Sequence, residues 1–256
     1  MMQLKDNVWI VTGAASGMGG ACAKMIVNNG GKVVIADINV RKGRKLSEEL
    51  GKNAIFLKTD VTSEEDASRT VEDSINHFGK LNGLINCAAL GVAEKILNKK
   101  STHSLEHFSR VVQINLVGTF NMLKQVADKL KRNEPNQDEE QGVIINTASV
   151  AAFEGQIGQA AYSASKAGIA GLTLPAAREL ARYGIRVMTI APGLFETPLY
   201  EALPESAKDT LGGMTPFPQR LGRPSEYAAL SKQIIENPML NGETIRLDGA
   251  LRMPPQ

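Results

Sequence analysis

Cysteine is scarce in this chain: Cys22 and Cys87 are the two among 256 residues. Two thiols make a disulfide framework improbable, and free thiols suit a reducing compartment. Histidine is nearly as rare, with His77, His103 and His107. His103 and His107 are four apart at an expected helix start. No partner carboxylate or cysteine completes a ligand set with them, so no metal is expected. Long apolar runs are missing too. The longest are strand-length, far too short to cross a bilayer, so no membrane partner is expected. An excess of one charge sign is absent as well: 29 Lys and Arg stand against 27 Asp and Glu, without a block of like charge. That removes the electrostatic footprint of a nucleic-acid or anionic-membrane partner. The opening Met1-Met2-Gln3-Leu4-Lys5-Asp6 runs straight into a strand pattern, which leaves no room for a signal or Arg-rich transit peptide. The expected location is the cytoplasm, with the mitochondrial matrix as the alternative.

What is present is an alternation. Short apolar runs at Val8–Thr12, Lys32–Ala36, Ala54–Lys58, Gly83–Asn86, Val143–Ala148, Arg186–Ile190 and Thr244–Leu247 are separated by helical patterns near 17–29, 40–50, 63–79, 105–131, 160–182 and 225–236. Strand–helix repetition of this kind predicts one α/β domain over 1–256, a doubly wound, mostly parallel seven-stranded sheet of the Rossmann type with helices on both faces. Two stretches break the rhythm. Residues 91–104 form a polar, lysine-bearing insertion, and 194–218 mix Pro, Gly and large apolar residues as a substrate lid would. Residues 133–141 read as a charged surface loop.

The first strand runs into Thr12-Gly13-Ala14-Ala15-Ser16-Gly17-Met18-Gly19 and then a helix. Glycines at 13, 17 and 19 let the backbone turn sharply and approach a pyrophosphate, whose charge meets the helix N-terminus. The spacing is Gly-x-x-x-Gly-x-Gly, not the commoner Gly-x-Gly-x-x-Gly. The second strand ends at Asp37. A carboxylate there accepts from adenosine ribose hydroxyls and repels a 2′-phosphate, which argues for NAD over NADP; the other reading is a cap on the next helix. Arg41 and Arg44 are better placed on the exposed helix face. Asp60 and Val61 end the third strand, where they either meet the adenine or cap the helix from Ser63.

Tyr162 and Lys166 are four apart on an expected helix, with Ser149 thirteen residues earlier. One helical turn brings the two tips together, and an ammonium beside a phenol favours the phenolate, making tyrosine a usable proton acceptor. A serine hydroxyl can hold the oxygen that gains or loses the proton. Those parts interconvert an alcohol and a ketone. Alone, the same spacing also fits an exposed pair on a helix.

Together, Gly13–Gly19, Asn86-Cys87-Ala88, Asn115, Ser149, Tyr162 and Lys166 resemble the short-chain dehydrogenase/reductase family over essentially the whole chain. The resemblance implies a catalytic tetrad. In it Tyr162 is the acid/base, Ser149 positions the substrate oxygen, Lys166 holds the nicotinamide ribose, and Asn115 anchors a proton-relay water. It also implies that Pro192-Gly193 lines the nicotinamide. The family's Asn-Asn-Ala-Gly reads Asn86-Cys87-Ala88-Ala89 here, one added methyl on the adenine side, and Cys87 reads as a small core residue.

A closer resemblance lies with the family's 3-hydroxyacyl-CoA dehydrogenase group, carried by Gly142 through Gln156, Ile185 through Phe195, and Ile234 through Pro238. It implies oxidation of a 3-hydroxyacyl-CoA to a 3-ketoacyl-CoA with NAD, with branched acyl-CoAs or hydroxysteroids as further substrates. It implies that Cys87 binds cofactor through its backbone and that Phe195 and Thr197 flank the nicotinamide carboxamide. Gln156 and Gln159 are placed to hydrogen-bond the thioester. Leu194, Phe195, Leu199, Tyr200, Leu203, Met214 and Phe217 either wall an apolar cleft or pack the lid on its own domain. Lys95, Lys99, Lys100 and His103 either meet CoA phosphates or form a solvated loop. The other readings on the same scaffold are a 3-oxoacyl-carrier-protein reductase or a hydroxysteroid dehydrogenase; a non-catalytic NAD-binding subunit is the different-class alternative. The small residues Ala164, Ala167, Gly168, Ala170 and Gly171 either let another helix approach or pack on the sheet. The resemblance implies a homodimer or homotetramer.

Overall fold

Seven apolar runs line up side by side in a computed structural model of the chain, which describes residues 1–99, 101–197 and 205–255. They are β1 (Val8–Thr12), β2 (Lys32–Asp37), β3 (Ala54–Lys58), β4 (Gly83–Asn86), β5 (Gly142–Thr147), β6 (Ile185–Pro192) and β7 (Thr244–Leu247). All neighbouring pairs are parallel, in the order β3-β2-β1-β4-β5-β6-β7. A strand covered on both faces has no polar side, which is why β1, β4, β5 and β6 are buried along their whole length.

The helices are α1 (Gly17–Asn28), α2 (Val40–Leu50), α3 (Glu64–Phe78), α4 (Leu105–Val112), α5 (Gly118–Leu130), α6 (Ala160–Leu180), α7 (Glu205–Gly213) and α8 (Pro224–Glu236). Alternation along the strands sorts them into two layers. Trp9, Val11, Val33, Ile35, Ile85, Ile145 and Met188 face α1 and α8 through Cys22, Ile26, Tyr227 and Ile234. Val8, Ile10, Val34, Leu84, Ile144 and Val187 face α3, α5 and α6 through Val71, Met122, Val126 and Ala176. Among the described residues no helix is long and apolar enough to cross a membrane.

The chain leaves β3 at one edge and returns as β4 on the other side of β1, so the strand order reverses between β1 and β4. Crossover connections diverge there and leave a crevice at the carboxyl ends of the strands. Thr12, Asn86 and Asn146 are register partners at its floor.

Four local features add to the expectation or depart from it. The single helix expected over 105–131 is split by a wide π turn at Gln113–Val117, which takes in one extra residue and turns Asn115 fully inward. A helix, α7, lies within the 194–218 stretch, where no helix was expected. The small face of α6 does not pack wholly on the sheet: Ala164, Ala167 and Gly171 are exposed, while Gly168 approaches Leu116. Residues 133–141 are more than a surface loop, because Glu140 is 5% exposed. Its Oε1 accepts from Arg186 Nε at 2.7 Å and its Oε2 from the amide of Met2 at 2.7 Å. The other Arg186 nitrogens donate to the carbonyls of Ile234, Ile235 and Leu240, closing the end of α8. Breaking a buried pair leaves an uncompensated charge. Arg186→Met is therefore expected to cost about 3–5 kcal/mol and lower the melting temperature by roughly 10 °C. Thermal denaturation with a shift under a few degrees would contradict the role given to this pair.

Candidate active site

At the end of β1 the chain has no spare volume. Gly13 has φ 62°, and a Cβ placed there would lie 2.8 Å from the Cα and the amide nitrogen of Ala88. A Cβ on Gly19 would lie 2.5 Å from the Gly13 carbonyl oxygen. Thr12 Oγ1 accepts from the amides of Cys87 at 3.1 Å and Ala88 at 3.2 Å, which ties the exit of β4 to that of β1. The helix α1 then begins at Gly17, with Ser16 extended and making no side-chain cap, and no acidic residue in its first turn. First-turn amides left open in this way suit a diphosphate. The glycine cradle fits the nucleotide that the Gly13, Ser16, Gly17, Met18 and Gly19 spacing predicts.

Asp37 ends β2, and its Oδ2 accepts from the amide of Ala15 at 2.9 Å while Oδ1 accepts from Asn39 at 2.8 Å. It does not cap α2, a task done by Asn39, whose Oδ1 accepts from the amide of Lys42. The carboxylate instead clips β2 to the glycine turn, and each oxygen retains acceptor capacity for a ribose hydroxyl. Asp60 Oδ1 accepts from the amide and hydroxyl of Thr62, while Ser63 caps α3. Val61 is buried beside Gly118, and its carbonyl accepts from Asn121 Nδ2 at 2.9 Å. Both residues thus stand at the carboxyl end of β3, where an adenine is expected.

The residues expected to carry the chemistry gather near the end of β5. Ser149 follows that strand, extended and 9% exposed, with its Oγ accepting from the amide of Ala151 at 3.1 Å. Tyr162 and Lys166 are one turn apart on α6. Lys166 is 2% exposed, its Nζ donates to the Thr147 carbonyl at 2.7 Å and stands 5.7 Å from the centre of the Tyr162 ring. Burial pulls its pKa from 10.5 down to about 8, against an upward pull from Cys87.

The Asn115 side chain is taken up by bonds within the protein. Its Oδ1 accepts from the amide of Leu90 at 2.7 Å, and its Nδ2 donates to the Leu90 carbonyl at 2.9 Å and to Ser165 Oγ at 3.0 Å. Ser165 Oγ in turn donates to the Tyr162 carbonyl at 2.7 Å. The carboxamide therefore braces the segment after β4 against α6, and the relay water expected at Asn115 is left the main-chain carbonyl, to which Thr119 Oγ1 also donates. Ser165 escaped the sequence reading, although its place three residues after Tyr162 marks it as a neighbour on the same helix face.

The substrate-side expectations divide. Gln156 and Gln159 do not present free amides, because their side chains bond one another and Gln156 Nε2 donates to the Pro254 carbonyl at 3.2 Å. Gly193, following Pro192, donates its amide to the Leu247 carbonyl at 2.9 Å, and a Cβ on it would lie 2.9 Å from Asp248. Phe195 is 5% exposed in the core, its ring against Gly222, so it offers a cofactor its main chain only. Thr197 is half-buried, Phe217 is exposed, and Leu199, Tyr200, Leu203 and Lys100 lie outside the described residues. In the insertion Lys95 and Lys99 are exposed, but His103 is not open to a phosphate. Its Nδ1 meets the Glu94 carbonyl at 2.9 Å, and Glu94 Oε2 holds His107 Nδ1 at 2.8 Å. Glu94 is the carboxylate beside the histidines that sequence spacing did not reveal.

Comparison with known proteins comes to the same point. The family model described as short chain dehydrogenase matches residues 7–208. The chain is 54% identical to the 3-hydroxyacyl-CoA dehydrogenase type-2 of Drosophila melanogaster, over 98% of this chain and 100% of the relative. It is similar to the crystal structure of 3-hydroxyacyl-CoA dehydrogenase type-2 from Mycobacterium avium, with TM-score 0.95, 41% identity and 98% of each chain covered. A 3-ketoacyl-(acyl-carrier-protein) reductase from Brucella melitensis, complexed with NADH, superposes with TM-score 0.87 at 29% identity, over 98% of this chain and 100% of that one.

The lowered pKa of Lys166 has a measurable sign. Between about pH 8 and 10.5 the unfolded chain holds this proton and the folded chain releases it, so stability from this group rises with pH. In the cofactor-free protein, stability relative to Lys166→Met is expected to climb across that window by on the order of 1–3 kcal/mol. Parallel stability curves for the two proteins in urea titrations would refute it.

Proposed function

The chain belongs to the short chain dehydrogenase family, and from that premise we propose that it oxidises the 3-hydroxyl of a 3-hydroxyacyl-CoA to the 3-ketoacyl-CoA with NAD. As a member of that family it is an oxidoreductase that binds a nicotinamide cofactor. The observation that carries the chemistry is the convergence at the end of β5, where Lys166 is fixed on the Thr147 carbonyl beside Tyr162, and Ser149 stands two residues further on. The substrate class rests on the 54% identity to a 3-hydroxyacyl-CoA dehydrogenase type-2.

Tyr162 takes the proton from the substrate hydroxyl at its phenol oxygen, and Lys166 stabilises the negative charge that tyrosine carries before it does so. Ser149 Oγ donates to the substrate oxygen and holds C3 against the cofactor face. Asn115 keeps the helix of Tyr162 in register with the segment after β4 through Ser165. When bound, the nicotinamide supplies the acceptor for the hydride that leaves C3. Gly13, Ser16, Gly17, Met18, Gly19, Asp37, Asp60, Val61, Cys87, Ala88, Pro192, Gly193, Phe195 and Thr197 would hold the cofactor, with Tyr162 and Lys166 at its ribose. The choice of NAD is supported by Asp37, a carboxylate that disfavours a 2′-phosphate and stands beside the glycine turn.

Steady-state kinetics with acetoacetyl-CoA, an acyl-carrier-protein thioester and a hydroxysteroid separate this activity from those of other short-chain enzymes. With acetoacetyl-CoA, Tyr162→Phe is expected to lose about 10²–10⁴ in turnover while NADH binding stays within about twofold. Near-parental turnover would remove Tyr162 from the mechanism. Asp37→Ala is expected to shift kcat/KM from NAD toward NADP by about tenfold or more. An unchanged ratio of the two cofactors would show that Asp37 serves the turn and not the choice of nucleotide.

A further inference from the structure

The edge strand β7 carries a guanidinium that reaches both sides of the reacting end of the crevice. Arg246 is the register partner of Ala191 in β6, two residues before Gly193. Its Nη1 and Nη2 donate to Glu154 Oε1 at 2.7 Å and Oε2 at 3.0 Å, a bidentate pair with the loop before α6. Its Nε donates to Asp248 Oδ2 at 2.7 Å, and Nη2 also reaches the Leu251 carbonyl at 3.0 Å. The guanidinium carbon stands 5.4 Å from the centre of the Phe153 ring, on the same loop. All three nitrogens are engaged within the protein, so Arg246 acts on the chemistry through the groups it holds.

Each of those groups leads to the reacting end by a short path. Glu154 is followed by Gly155, which is pressed against the first turn of α6: a Cβ there would overlap Ser163 Oγ, on the residue next to Tyr162. Gln159 continues the path, its Oε1 accepting from the Gln156 amide at 3.1 Å and its carbonyl from the Ser163 amide at 2.7 Å. The loop is bonded again at the Pro254 and Pro255 carbonyls, in the segment that Arg246 tethers at Leu251. On the other side Asp248 lies against Gly193, where a Cβ would stand 2.9 Å from the Asp248 Cβ. Gly193 is the residue expected at the nicotinamide.

We propose that Arg246 is a positioning residue for the oxidation: by bridging Glu154 and Asp248 it fixes the loop that leads into the Tyr162 helix relative to the Gly193 turn, and so sets turnover without touching substrate or cofactor.

This role rests on the dehydrogenase reading above. It predicts a split between turnover and cofactor affinity. The glycine turn and Asp37, which would hold the pyrophosphate and the adenosine ribose, belong to β1 and β2, whereas β7 is the far edge of the sheet. Cofactor affinity is therefore insulated from Arg246. The approach of the Tyr162 oxygen to C3 is not, and a misplacement of about 1 Å can cost about 10²-fold in rate. A partly exposed ion pair adds little to global stability, so its loss shows in turnover before it shows in folding.

Glu154→Gln, which removes the charge at nearly constant shape, Arg246→Gln and the double variant test the role in the full-length protein. By hydrogen exchange and mass spectrometry, peptides covering 153–159 are expected to exchange about fivefold faster or more in each variant, with peptides of β1 and α1 unchanged. Turnover is followed with whichever of acetoacetyl-CoA, the carrier-protein thioester and the hydroxysteroid the parent converts. In each variant kcat is expected to fall about tenfold or more, while NADH affinity, read by fluorescence, stays within about twofold. The double variant is expected to lose no more than the weaker single, because both changes cut one link. Parental exchange in the loop would overturn the proposal, as would faster exchange with kcat near that of the parent. Equal losses of kcat and NADH affinity would mark a merely structural residue and overturn it too, and so would losses that multiply in the double variant. Glu154→Gln keeps the test decisive where Arg246→Gln does not fold. Because the parent's own turnover chooses the substrate, failure of the acyl-CoA reading is distinguishable from failure of the positioning role.

Discussion

A seam of buried hydrogen bonds across the carboxyl ends of β1, β4 and β5 is the constraint on which the rest of the molecule depends. Thr12 Oγ1 holds two amides beyond β4, and Asn86 reaches Asn146 Oδ1 at 3.0 Å and the Thr119 carbonyl at 3.3 Å. Thr147 Oγ1 donates to the Asn86 carbonyl and pairs with the Tyr227 hydroxyl at 2.7 Å. These groups have no water to fall back on, so each fixes its neighbour: removal of one leaves a partner unpaired at about 1–3 kcal/mol. The strands are apolar up to this line and polar at it. That abrupt change lets a hydrophobic sheet end in a chemically active crevice.

Lys166 extends the seam into the site. An ammonium that is 2% exposed is expensive to keep, and its lowered pKa expresses that cost. It is held because its donor is aimed at a main-chain carbonyl whose position is set by β5, and that strand is locked between β4 and β6. A carbonyl at a strand end cannot rotate away as a surface carboxylate can. The charge is thereby fixed relative to the Tyr162 ring before a substrate arrives, which is the condition for electrostatic help without reorganisation.

Much of this was legible in the residues. Runs such as Val8–Thr12 and Gly83–Asn86 end where their strands end, because a fully buried parallel strand needs an unbroken apolar stretch and a glycine or polar stop. Gly13 and Gly19 announced a backbone in contact with backbone, and Asp37 marked the end of β2. Two of the failures share one cause, partners distant in sequence. Glu140 looked like part of a charged loop, and only the fold brings it to Arg186, 46 positions away. The pairing of Gln156 with Pro254 spans 98 positions. The break in the 105–131 helix was invisible for another reason, since a π turn adds one residue to a hydrogen-bonded loop and barely disturbs the apolar pattern.

The two sides of the crevice are fastened by different physics. At the glycine turn the fastening is steric and free of ion pairs, glycine against backbone, and the Thr12 hydroxyl and Asp37 carboxylate against main-chain amides. Around the loop before α6 it is ionic. Glu154 accepts from Arg246 at 2.7 and 3.0 Å, Arg246 Nε donates to Asp248 at 2.7 Å, and the Met253 amide donates to Glu154 at 3.3 Å. Arg246 holds the Glu154 carboxyl below its ordinary range. Single partly exposed pairs of this sort contribute little, but a bidentate, shared set fixes geometry better than any member does alone. It fastens the loop before α6 to the segment after β7, and the Ile157 amide bonding to the Pro255 carbonyl at 2.8 Å completes the stitch. Ser149 and Tyr162 flank that loop in sequence, so the ionic stitch closes the connection between β5 and α6. Lys166, donating to the Thr147 carbonyl, ties the same helix to the end of β5. The helix that carries Tyr162 is thus referenced twice, to the C-terminal segment through the loop before it and to the sheet through its own ammonium.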